Sequence, residues 1–142
     1  MNLMKMIIKK LFRSPKAQSM VEMAIMLPVL LIILIGIIDF GRILGGYMII
    51  HELARDGVRA GVVGAKTGDI KDQITGNVLI TLAEEDIDVE PSDASRALGG
   101  PLKVSVEHEF DILTPFLESI FPDGKWTLTA EYVMRIEQLP ET

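Results

Sequence analysis

Few side chains in this sequence stand where they could do chemistry, and the best placed is a single carboxylate. Glu22 precedes an apolar run, Met23–Ile38, that contains no charged residue. A carboxylate at bilayer depth is unfavourable by up to about 3 kcal/mol, and by less near the interface. Glu22 therefore needs a cation, or it snorkels to the headgroups. A cut between Ala17 and Gln18 would create one. The new α-amine, with an ordinary pKa of about 7.7–8.0, is largely charged at neutral pH. It lies four residues before Glu22 on the same helix face. The pair can close within one chain or between neighbours, and pairing between subunits would set their stagger.

The other reactive residue types form no constellation. His51 and His108 are far apart, with no second histidine at helical spacing and no cysteine anywhere in the chain. A zinc-type metal site is therefore not expected. The acidic run Glu84, Glu85, Asp86, Asp88 and Glu90 lacks the glycine and spacing of an EF-hand loop and reads as a solvated face. No serine, histidine and acid approach a nucleophile motif, and no strand–glycine-loop–helix signature for phosphate is present. No catalytic residue, metal ligand or cofactor site is assigned.

Positioning Glu22 falls to the elements around it. Residues 1–17 carry Lys5, Lys9, Lys10, Arg13 and Lys16 and no acid, whereas the remainder carries 9 basic and 20 acidic side chains. A basic tail before an apolar run places the N-terminus in the cytoplasm and the rest of the chain on the far side of a membrane. The acidic remainder argues against nucleic-acid binding. Met20–Ile38 spans roughly 28 Å as a helix, close to a hydrocarbon core of about 30 Å. The alternative, a buried helix in a soluble domain, would ordinarily show a polar face. Pro28, inside the run, predicts a kink or a locally unwound turn. Gly36 offers a close-approach point for another helix.

From Asp39 the pattern becomes periodic. Phe40, Ile43, Leu44, Tyr47, Ile50, Ala54, Val58 and Gly61 form an apolar stripe, with Arg42, Glu52, Arg55, Asp56 and Arg59 largely off it. The spacing predicts one helix from about Gln18 to about Gly64. Its many glycines indicate close packing on the protein's own sheet or on a neighbouring subunit. A second helix is predicted over Asp69–Glu85 from Ile70, Ile74, Val78 and Leu82, capped by Thr67 or Asp69. Strands are predicted at Ile87–Val89, Leu102–Phe110 and Trp126–Ile136 from their alternation, with a short helical segment from Thr114-Pro115 to Phe121. The fold class is α+β. A basic leader (1–17) and a transmembrane helix (18–39) precede a stalk helix (40–65) and an extracytoplasmic head (66–142).

These motifs carry a resemblance. Gln18-Ser19-Met20-Val21-Glu22-Met23-Ala24, Leu27-Pro28-Val29-Leu30-Leu31 and Gly36-Ile37-Ile38-Asp39-Phe40-Gly41-Arg42 resemble the N-terminus of TadE-like pilins. These are minor pilins, or pseudopilins, of the tight-adherence (Flp) branch of type IV pili. Ala54-Arg55-Asp56-Gly57-Val58-Arg59-Ala60 is similar to that family's A-R-x-G-x-R block. Leu113–Leu117, Leu128–Ala130 and Met134–Glu137 are similar to its closing segments. The resemblance implies a non-enzymatic structural or assembly component. It implies cleavage between Ala17 and Gln18 by a prepilin peptidase, and use of Glu22 in subunit pairing. Other pilins or pseudopilins and the pilus assembly platform are the implied partners. Ala17 departs from the glycine usual before the cut. The rival from a different class is a monomeric, signal-anchored extracytoplasmic binding domain, which needs neither Ala17 nor Glu22.

Overall fold

The computed structural model describes residues 15–114 and 124–140. Its axis is one unbroken helix, α1, Pro15–Val62. Pro15 opens it, where a missing N–H costs nothing. The helix runs through Pro28 without an unwound turn. It stops where Gly64 adopts a positive φ of 106°. Ala65 N–H donates to Ala60 O and Gly64 N–H to Gly61 O, the paired bonds of a Schellman ending.

Behind it come α2, Thr67–Thr75, and a three-stranded sheet of β1, Ile87–Glu90, β2, Pro101–Asp111, and β3, Lys125–Arg135. The strands are antiparallel in the order β1-β2-β3. Val89 lies opposite Val104, and Phe110 opposite Trp126. One face of the sheet packs on α1 and α2. Ile50, Ala54, Val58 and Val62 of α1 meet Ile70 and Ile74 of α2, and Leu102, Val104 and Val106 of β2. The α+β class, the long first helix and the alternating strands thus agree with the sequence. The Thr114-Pro115 helical segment predicted to Phe121 lies outside the described residues after Thr114, and so do residues 1–14 of the leader.

Two expectations are corrected. The second helix ends at Thr75, ten residues early. Gly76 breaks it, and the Asn77 carboxamide accepts the Leu79 N–H (2.8 Å), a local turn that competes with helix. From there the burial alternates, with Ile80 and Leu82 inside, whereas Val78 is 98% exposed. The four-residue spacing that joined Val78 and Leu82 to the helix therefore marks no common face: Leu82 is buried two residues after Ile80, and Val78 is outside. The cap also differs in detail: Asp69 accepts the Lys66 N–H (3.4 Å) from inside the first turn, and Thr67 is already helical.

The second correction concerns the stripe on α1. Phe40, Leu44 and Tyr47 are exposed. The predicted stripe holds from Ile50 on, where Ile50, Ala54, Val58 and Gly61 are buried, but ahead of it the buried positions are Asp39 and Gly46. Glycine explains the difference. The Phe110 ring occupies the space a side chain at Gly46 would need, and a Cβ at Gly57 would lie 2.8 Å from Ile74. The sheet approaches the helix closely at glycines, so before Ile50 a count of large apolar residues misses the buried positions, whereas from Ile50 on it finds them.

Candidate functional site

The expected site residues all lie on α1. Ala17 and Gln18 fall in its first turn, and Glu22 follows one turn later. Behind Glu22 the apolar side chains from Met23 to Ile38 are almost all exposed. Among the described residues this is one helix long and apolar enough to cross a membrane, and none of its most apolar stretch is buried. That exposure separates it from the core helix of a soluble domain, where burial of such a surface is the main driving force. A side chain at Gly36 would meet nothing within 4 Å, and the same holds at Gly41 and Gly45. Among the described residues, the fold therefore does not bring Ala17, Gln18, Glu22, Pro28 and Gly36 together with any part of the head. They form a linear display along one helix.

Where that display ends, the structure has a feature the sequence reading missed. Asp39, immediately after the apolar run, is only 3% exposed. Its carboxylate accepts four hydrogen bonds from the segment after β2. Leu113 N–H reaches both oxygens (3.1 and 3.0 Å), Thr114 N–H reaches Oδ2 (2.8 Å), and the Thr114 hydroxyl donates to Oδ2 (2.6 Å). Arg42 stands one turn on, 3.5 Å from Asp39 Oδ1, and also donates to the Asp111 carbonyl (3.4 Å). Charge-assisted bonds of this kind are short and strong. They fix the lower end of the head to the helix across more than 70 residues of sequence. One signal was available: Asp39 sits four residues before Ile43 and seven before Gly46, on the buried line. A polar residue on an apolar face requires partners.

A second polar lock closes the opposite end of the head. The Arg96 side chain is fully buried and donates to Ala65 O (2.6 Å), Thr67 Oγ1 (3.0 Å) and Pro91 O (3.4 Å), and it pairs with Asp93 (3.0 Å). Asp93 in turn accepts from the Thr67 N–H (3.0 Å) and hydroxyl (2.8 Å). Burial pushes the Asp93 carboxyl up, but the Thr67 bonds and the Arg96 charge together hold it below its ordinary value.

The remaining reactive side chains are structural. His51 lies between Tyr47 (4.2 Å, tilted) and Tyr132 (5.8 Å, edge-on), and His108 meets Phe110 edge-on (4.6 Å). The acidic run divides between a turn and β1. Asp86 accepts the Ala83 N–H (2.8 Å), and Glu90 pairs with Lys103 (3.0 Å). Among the described residues no group of three or more histidine, aspartate or glutamate side chains is placed to hold a metal ion.

The architecture is thus a membrane-length helix whose far half carries a small α+β head, the arrangement of a single-pass anchored domain. Residues 17–59 match the family model of TadE-like proteins. The match begins at Ala17, covers Glu22, Pro28, Gly36 and Asp39, and ends at Arg59 in the second resemblance block, so the resemblance read from the sequence is found over this segment. No curated protein and no solved structure matches the chain. The match covers less than half of the chain and suggests a Tad-pilus-associated component.

Proposed function

We propose that this chain is a TadE-like minor pilin or pseudopilin, a structural or assembly subunit of a tight-adherence pilus. In this reading α1 crosses the cytoplasmic membrane once, with the basic leader inside and the head outside. A prepilin peptidase cuts between Ala17 and Gln18, and the new amine pairs with Glu22 of the same or a neighbouring chain. Pro28 and Gly36 then shape the surface along which pilin helices pack. The observation that carries the reading is the exposed apolar helix with an acid at its mouth, lying within the segment that matches the family.

Mass spectrometry of membrane-extracted protein tests it. Loss of residues 1–17 is expected in cells that hold the peptidase, and an intact N-terminus there sinks the processed-pilin reading. Glu22→Ala is expected to leave insertion intact and to weaken co-purification with other pilins. Unchanged association would remove the pairing role and favour the monomeric anchored binding domain.

A further inference from the structure

The contacts between α1 and β2 give the head a fixed height above the membrane segment. Leu102 lies on Gly61, Phe110 lies on Gly46, and the Leu113 and Thr114 amides bind Asp39. The helix falls roughly 22 Å from Gly61 to Gly46 at 1.5 Å per residue, and β2 covers roughly 26 Å from Leu102 to Phe110. Strand and helix therefore run antiparallel and in step. The end of β2 descends to the last turn of the apolar run. Leu113 is held at the level of Asp39, one residue beyond Ile38, and its side chain is 54% exposed. The chain returns at the same end, where Ile112 N–H donates to Gly124 O (2.9 Å) and Trp126 faces Phe110 across the strands. Trp126 is 41% exposed.

We propose that this end of the β2–β3 pair rests on the lipid headgroup layer, with Leu113 at the hydrocarbon boundary and Trp126 as an interfacial anchor. The proposal rests on the reading of α1 as a membrane-crossing helix. The occupant follows from continuity: a surface bonded to the residue that ends a membrane span cannot be far from the lipid. Trp126 lies beside Phe110 over Gly46, about 10 Å above Asp39 along the helix. The headgroup layer occupies about 5–7 Å per leaflet. A helix tilt of about 20° towards the head lowers a surface offset by roughly 10 Å by a further 3 Å or so. An indole, apolar with one polar edge, suits that depth. The head would then lie against the bilayer while the subunit is stored there, and would have to leave it whenever α1 leaves.

Trp126 is the one tryptophan of the chain, so its emission reports this end of the head directly. The full chain is reconstituted in phosphatidylcholine–phosphatidylglycerol vesicles at high lipid-to-protein ratio and recovered by flotation. A nitroxide carried on the headgroup is expected to lower Trp126 emission about two-fold, as for an interfacial indole, and aqueous iodide is expected to quench it poorly. Leu113→Asp and Leu113→Ser keep the amide that binds Asp39. Both are expected to float like the unaltered chain, to keep slow amide exchange at Val104 and Val106, and to lose most of the nitroxide quenching. Flotation reports the anchor separately. A chain that floats while Trp126 is reached by iodide and not by the headgroup label overturns the seating and leaves the anchor standing. Protection that disappears on dilution of protein in lipid also overturns it, because a second copy would then be the cover. Quenching unchanged in both Leu113 variants removes Leu113 from the contact.

Discussion

Replacement of Asp39 probes whether one carboxylate joins the head to the membrane segment. Asp39→Ala removes the acceptor for two backbone N–H groups and one hydroxyl, and Thr114, one of the donors, is itself 2% exposed. Hydrogen bonds to a charged group contribute about 1.5–3 kcal/mol each. They share one carboxylate and will not add in full. A cost of about 3–5 kcal/mol is expected, the range for leaving buried partners of a charge unpaired. That is a large fraction of a typical domain stability of about 5–15 kcal/mol. Asp39→Asn keeps one acceptor oxygen and should cost roughly half as much. The check is hydrogen exchange of the full chain in detergent micelles, with thermal unfolding alongside. At about 1.4 kcal/mol per factor of ten, amide exchange at Leu113 and Thr114 should accelerate by roughly a hundred-fold to a few thousand-fold in the alanine variant. Exchange within a factor of a few of the unaltered chain, with an unchanged melting temperature, would refute the clamp.

Other consequences follow from the same contacts. Gly45→Ala and Gly46→Ala should act in opposite directions. Gly45 has open space and should gain about 0.5–1 kcal/mol of helix stability, whereas a methyl at Gly46 enters the Phe110 ring position and should cost about 1–3 kcal/mol before that gain. Thermal melts of the two variants decide it. Arg96→Met leaves Asp93, Thr67 and the Ala65 carbonyl without their shared donor and should destabilise by about 3–5 kcal/mol, measured the same way. Asp93 has a depressed folded pKa. Its contribution is therefore complete above the ordinary value of 3.8 and is lost as pH falls through the lower folded value. Melting temperatures of Asp93→Asn should accordingly show a shallower loss below about pH 4 than those of the unaltered chain. For processing, Ala17→Leu should block removal of residues 1–17 and Ala17→Gly should preserve or improve it, as read by the mass of the extracted protein.

The sequence by itself determined everything that depends on local composition and period. A basic leader, an uninterrupted apolar run and an acid at its mouth need no tertiary contact to be read, because each is a matter of residue type and order along the chain. The alternation of Leu102–Phe110 and Trp126–Ile136 likewise gave two strands and the face each would bury. The end of α2 was a local signal passed over: Gly76 and the Asn77 turn stop the helix although the apolar spacing beyond them fits a helix equally well. Only the tertiary structure decided which residues of α1 meet the sheet before Ile50. The contact there is marked by the absence of a side chain at Gly46, where the Phe110 ring lies, and absence carries no hydrophobic signal. The role of Asp39 was of the same kind. Alone in the sequence it is the polar residue that stops a membrane run. Its partners lie more than 70 residues away, and only the descent of β2 along α1 brings the Leu113 and Thr114 amides to its carboxylate.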